Sequence, residues 1–170
     1  MKLGILTSIF GNYNFEQVLD MTSEFGLECM EVACWPQGEG ERRYAGVCHI
    51  DCENFTDEEA HTIINKCEEK KIFISALGFY ANLMDENLEK RKENIQHFMK
   101  VIDVSAKLNI NMVTGFLGRM QHKTLEENLK AVKEIWTPII HYAESKKYGL
   151  QLKIVQCCLH KMNGQVDKIL

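Results

Sequence analysis

Apolar positions along this chain alternate between two periods. Segments 2–10, 29–34, 72–79, 112–117 and 150–155 are dense in apolar residues, and between them apolar residues return every three or four positions. Dense short runs read as strands buried on both faces, and the stretches between them as amphipathic helices. The first helix carries Phe15, Val18, Leu19, Thr22 and Phe25 on its apolar stripe and stops at Gly26. The second opens at Thr56 with Glu59 three residues on, a capping box, and runs through Ile63, Ile64 and Cys67 to Lys71. A third, over 86–108, buries Ile95, Phe98, Met99, Ile102 and Ala106. Thr124 and Glu127 cap the fourth, which buries Leu125, Leu129, Val132, Trp136 and Ile140, and which Pro138 is expected to kink. Strands alternating with helices at this spacing predict an α/β fold with a parallel sheet. Only the connection over 35–55 is too long for a minimal turn, and long loops on such scaffolds carry function.

Composition narrows the picture without redirecting it. A chain of 170 residues, 45% hydrophobic and 26% charged, fits one globular domain with a sizeable core and no disordered tract. A net charge of -4 excludes broad, charge-driven nucleic-acid binding, and the small basic cluster from Lys90 to Lys92 sits among acids. Seven cysteines (Cys29, Cys34, Cys48, Cys52, Cys67, Cys157 and Cys158) are an odd number without framework spacing, which predicts reduced thiols. The apolar start is too short to span a bilayer and lacks a small-residue cleavage site. A cytoplasmic location without membrane contact is the expectation.

In parallel α/β folds ligands bind beyond the carboxyl ends of the strands, here residues 8–12, 31–36, 78–82, 115–121 and from 155 onward. These segments hold no nucleophile elbow, no phosphate-binding P-loop, no dinucleotide fingerprint and no histidine pair at helical spacing. Glu31 either accepts from a substrate hydroxyl or pairs with a lysine or arginine of a neighbouring strand. Trp35 and Phe79 form either an apolar wall for a sugar ring or ordinary core closure. His49, in Cys48-His49-Ile50-Asp51, either contacts a metal or substrate phosphate or packs locally; Cys48 and Cys52 beside it lack the further ligands of a zinc site. Gly115, Gly118 and Arg119 offer open backbone and a guanidinium for an oxyanion or phosphate, unless the arginine is simply solvated. His122 reads as a surface residue.

Residues 2–10, Gly26-Leu-Glu-Cys-Met-Glu-Val, His49-Ile-Asp, Ala76-Leu-Gly-Phe-Tyr-Ala-Asn and Val113-Thr-Gly-Phe-Leu-Gly-Arg119 stand in order at successive strand ends. Together they resemble the sugar phosphate isomerase/epimerase family, with its xylose isomerase-like TIM barrel. The resemblance covers about residues 1–153 and implies the N-terminal part of a (β/α)8 barrel, about four and a half βα units, truncated. It implies proton transfer on a sugar or sugar phosphate through an enediolate, assisted by a divalent metal (Mn, Mg, Co or Zn). Glu31, Trp35, His49 and Arg119 are then the substrate-binding candidates, with no catalytic residue assigned. The family's metal ligands are a Glu ending a middle strand, then an Asp, a His and another Glu. Where the first belongs, this chain reads Ile154-Val-Gln-Cys-Cys-Leu-His160. Residues 154–170, read two nucleotides later with suitable synonymous codons, spell Cys-Pro-Met-Leu-Ser-Ser-Gln-Asn-Glu-Trp-Pro-Gly-Gly-Gln-Asn-Leu, which resembles the family's continuation. The expectation is therefore a frameshifted tail over 154–170, no bound metal, and a chain inactive alone. Open strand edges in such a partial barrel predict self-association. Two alternatives stand beside this: a flavodoxin-like module binding a small ligand, and an AP endonuclease-like DNA repair barrel, which expects more strand-end histidines than His49.

Overall fold

The predicted strands all form, and they lie side by side in the order of the sequence. In the computed structural model, which describes residues 1–38, 44–146 and, as backbone, 151–155, one parallel sheet runs β1 (Gly4–Leu6), β2 (Cys29–Ala33), β3 (Phe73–Asn82), β4 (Met112–Phe116) and β5 (Gln151–Val155). Between them lie α1 (Phe15–Glu24), α2 (Asp57–Lys70), α3 (Leu88–Lys107) and α4 (Leu125–Ser145). Each strand pairs with the next in sequence, which is the winding of a barrel wall. A flavodoxin-like sheet has the order 2-1-3-4-5 and reverses at a switch point, so this order overturns that alternative.

The helices start where polar side chains accept the first free backbone N–H groups. Thr56 with Glu59 and Thr124 with Glu127 form the expected capping boxes. Asn14 with Gln17 forms a third, and Asn87 caps α3, neither of which the apolar pattern shows. Phe25, expected on the stripe of α1, is 62% exposed, because the chain turns out of the helix there into Gly26 at φ +68°. Leu125, on the first turn of α4, is likewise exposed. α4 continues through Pro138 without a break in its helical assignment, and Thr137 Oγ1 donates to the Lys133 carbonyl at 2.6 Å.

The first strand is shorter than its apolar run. After Leu6 the chain turns into a 3-10 helix, Thr7–Phe10, because Thr7 Oγ1 accepts the Ala33 N–H at 2.9 Å in place of a backbone partner. β3 does the opposite and runs on past Phe79 to Asn82, with a register shift against β4. The core lies between the sheet and its helices: Val32, Leu77, Phe79 and Val113 meet Phe98 and Ile102 of α3 and Trp136 and Ile139 of α4. No helix among the described residues is long and apolar enough to cross a membrane. Of the tail expected to be aberrant over 154–170, Ile154 and Val155 pair with β4 as the end of β5, and residues 156–170 lie outside the described residues.

Candidate functional site

Parallel pairing brings the carboxyl ends of β2, β3 and β4 to one rim, and period-two alternation selects what faces inward there. Glu31, Gly78 and Thr114 share that face, as the register places Ala33 beside Gly78 and Gly78 beside Thr114. Glu31 Oε1 accepts from Thr114 Oγ1 at 2.7 Å and from the Tyr80 hydroxyl, whose oxygen lies 3.0 Å from Thr114 Oγ1. Gly78 leaves the room for this: a Cβ there lies 2.8 Å from Glu31 Oε1 and 3.2 Å from Thr114 Oγ1. Neither hydroxyl reaches the second carboxylate oxygen, Oε2, which has no hydrogen-bond partner among the described residues. So Glu31 is anchored by hydroxyls, and among the described residues it pairs with no lysine or arginine.

At the end of β3 opens a cavity of about 280 Å³ lined by Trp35, Gln37, Phe79, Tyr80, Asn82 and Asn94, among others; Glu31 does not line it and is joined to it through Tyr80. Trp35 packs its ring edge-on against Phe79, with centroids 4.9 Å apart; Phe79 is a buried core residue, as core closure predicts, and the half-buried Trp35 packs against that core. Tyr80 belongs to both features, lining the cavity and holding Glu31. It stands two residues beyond Gly78 in β3, on the same face, within the strand-end segment 78–82; the signal for Thr114 was a hydroxyl inside an otherwise apolar strand.

Arg119 is exposed, and its guanidinium makes no ion pair among the described residues. Its backbone is fixed: the N–H donates to Asn82 Oδ1 at 2.8 Å and the carbonyl accepts from Asn82 Nδ2 at 2.9 Å. Gly118, at φ +87°, lets the two loops approach, since a Cβ there falls 2.5 Å from Asn82 Oδ1. Asn82 therefore ties the loop after β4 to the end of β3. His122 is a surface residue paired to Glu86 at 2.7 Å, and that pairing holds the Glu86 carboxyl below its usual range.

His49 lies elsewhere, in a recess with Asn14, Phe15 and Cys48. Its Nε2 is 3.3 Å from the Phe10 carbonyl, which only accepts, so Nε2 carries the proton and Nδ1 accepts from Thr7 Oγ1 at 2.9 Å. Both ring nitrogens are engaged in fastening the 3-10 turn to the long loop. Burial lowers the pKa of this imidazole from its ordinary 6.5. Folding thus keeps His49 neutral while the unfolded chain protonates at the ordinary value, so its contribution is full above pH 6.5 and declines as pH falls through that value. The melting temperature is expected to drop between about pH 7.5 and 5.5, and His49→Asn, which accepts from Thr7 without titrating, to flatten that drop. Equal slopes in thermal melts of the two proteins would count against this.

Burial pushes the Cys48 thiol up to about 12 and Cys67 up to about 11, and raises Cys34 well above its ordinary value, so all three remain protonated. No group of three His, Cys, Asp or Glu side chains able to hold a metal ion exists among the described residues.

A family model described as the xylose isomerase-like TIM barrel matches residues 19–169. No curated protein sequence gives a match. Among solved structures, the chain is similar to a D-psicose 3-epimerase determined in the presence of D-fructose, with 20% identity, TM-score 0.64, and coverage of 91% of this chain and 52% of that one. It is similar to the D-psicose 3-epimerase of Clostridium cellulolyticum with D-tagatose, at 14% identity and TM-score 0.64, over 91% and 52% of the two chains. The IolI protein with a bound zinc atom gives 16% identity and TM-score 0.63, over 91% and 51%. At these identities the likeness is one of fold, and the chain spans about half the length of each of these structures.

Proposed function

Because the chain belongs to the xylose isomerase-like TIM barrel family, we propose that its strand-end rim binds a ketose-class sugar or sugar phosphate for isomerisation or epimerisation. Glu31 carries the proposal. Two hydroxyls fix one carboxylate oxygen and leave the other to accept from a sugar hydroxyl, which is the preorganisation that polyol recognition requires. Trp35, half-buried against the core residue Phe79, offers an apolar face to the C–H side of the sugar, and Arg119 offers a guanidinium to an anionic group such as a phosphate. His49, with both nitrogens engaged, supports the rim without touching ligand.

In such isomerases a divalent metal, Mn, Mg, Co or Zn, polarises the sugar carbonyl so that the neighbouring proton moves. The described residues do not fit that ion, for their carboxylates and imidazoles nowhere converge in threes. No proton-transfer step is therefore assigned to them, and their proposed part is recognition.

Isothermal titration with D-fructose and D-tagatose tests this on the wild-type chain and on Glu31→Gln. Losing a charged acceptor costs about 1.5–3 kcal/mol, so the variant is expected to bind at least about tenfold more weakly. Equal affinity in both proteins, or no binding to the wild type, would sink the proposal.

A further inference from the structure

We infer that Asn94 and Gln37 set the specificity of the cavity at the end of β3: their side-chain carbonyl oxygens accept from the hydroxyls of a neutral polyol, so the cavity takes the unphosphorylated end of a ketose. The inference rests on the reading that a sugar binds at this rim, and adds which part of it enters the cavity.

Three side-chain amides of the described residues line the cavity, each from a different segment: Gln37 in the loop after β2, Asn82 at the end of β3, and Asn94 on α3. Asn82 is used up within the protein. Its Oδ1 accepts from the N–H groups of Met84 at 3.2 Å and Arg119 at 2.8 Å, and its Nδ2 donates to the Arg119 carbonyl. The other two amides are engaged at one end only. Asn94 Nδ2 donates to the Asn82 carbonyl at 3.2 Å, and Gln37 Nε2 donates to Asp51 Oδ2 at 3.1 Å. A carbonyl and a carboxylate only accept, so each amide must turn its NH2 group to the protein, and its oxygen is the end left over. Neither Asn94 Oδ1 nor Gln37 Oε1 has a hydrogen-bond partner among the described residues. Asn94 is half-buried, yet the buried unpartnered polar atom of the described side chains belongs to another residue, so Asn94 Oδ1 is open to solvent.

The charged groups of the lining favour the same ligand. Asp85 accepts the Asn87 N–H at 3.0 Å with one carboxylate oxygen, and the other has no partner among the described residues. Lys90, the cation of the described lining, is already engaged. A phosphate there meets a carboxylate and two amide oxygens, and desolvating it beside them is costly; a hydroxyl group finds acceptors held in place before it arrives. Trp35 supplies the apolar side that a sugar's C–H groups require. The volume of about 280 Å³ lies near the lower end of ligand sites, about 300 Å³, which suits part of a monosaccharide.

Titration calorimetry on the full chain provides the test, with D-fructose, its monodeoxy analogues and D-fructose 1,6-bisphosphate as ligands. Asn94→Leu and Gln37→Met remove the acceptor and keep the approximate shape of each side chain. Each variant is expected to bind D-fructose about fivefold more weakly, the effect of one neutral hydrogen bond. One monodeoxy analogue is expected to lose a similar factor on the wild type and to bind Asn94→Leu no more weakly than D-fructose does, because the hydroxyl and its acceptor act as a pair. The bisphosphate, which has no unphosphorylated end, is expected to bind the wild type at least about tenfold more weakly than D-fructose. Gln37 is exposed, so its variant decides the matter if Asn94→Leu does not melt cooperatively. Unchanged D-fructose affinity in either folded variant, deoxy losses that persist undiminished in Asn94→Leu, or a bisphosphate bound as tightly as D-fructose overturns the inference. If D-fructose binding depends on Glu31 and ignores both amides, the inference falls and the rim reading stands; if D-fructose does not bind the wild type, both fall.

Discussion

Trp136→Ala is expected to lower the melting temperature by about 6–20 °C, the largest stability effect of any single change considered. Trp136 is fully buried on α4, its indole N–H donates to the Leu117 carbonyl at 3.0 Å, and its ring meets Phe98 of α3 edge-on at 5.7 Å. One side chain therefore joins two helices to the exit of β4. Truncation leaves a cavity worth about 3–5 kcal/mol and strands a buried carbonyl. In a chain of this size each kcal/mol corresponds to about 2–4 °C. Circular dichroism melts measure it directly, with Trp136→Phe expected to fall between, since it keeps a ring on Phe98 and loses only the donor. A shift for the alanine variant no larger than that for Trp136→Phe would show that packing on Phe98 contributes nothing.

Gly78→Val is expected to abolish D-fructose binding while leaving the sheet able to form. Even the first added carbon falls 2.8 Å from Glu31 Oε1, 3.0 Å from Tyr80 Cε2 and 3.2 Å from Thr114 Oγ1. The two γ-methyls of valine extend into the same space, so the carboxylate must leave its hydroxyl partners. Overpacking of this kind costs about 1–3 kcal/mol of stability, less than the loss of a core tryptophan. A cooperative melt together with undetectable binding by titration calorimetry is the expected pair of results. Unchanged affinity in the folded variant would contradict the assignment of Glu31 to the ligand.

The strand-and-helix order was legible in the sequence because dense apolar runs and 3.6-residue stripes follow directly from burial on two faces or one. Thr56 and Thr124 announced their helices through the glutamates three residues on. Asn14 and Asn87 did not stand out, because their segments carry no such Thr-x-x-Glu signature. The end of β1 was hidden for a different reason: Ile9 and Phe10 continue the apolar run, and only the tertiary bond from the Ala33 N–H to Thr7 stops the strand. Glu31, Trp35 and Arg119 were legible as candidates from their places at strand ends. Tyr80 lay in the strand-end segment 78–82 without being singled out, because what anchors Glu31 is a contact among three strands that no local pattern encodes. His49 read either as a ligand or as a locally packed loop histidine, and its segment could not show that its partners, Thr7 and Phe10, lie about forty residues earlier in the chain.

Recognition of a sugar at the rim around Glu31 is tested most directly by mapping amide and side-chain chemical shifts of the 15N-labelled chain during titration with D-fructose. Saturable shifts confined to Trp35, Phe79, Tyr80, Asn82 and the Glu31 strand, and lost in Glu31→Gln, are the predicted result. Saturable shifts centred elsewhere, for instance in the recess around His49, or a spectrum that D-fructose leaves unchanged, would contradict it.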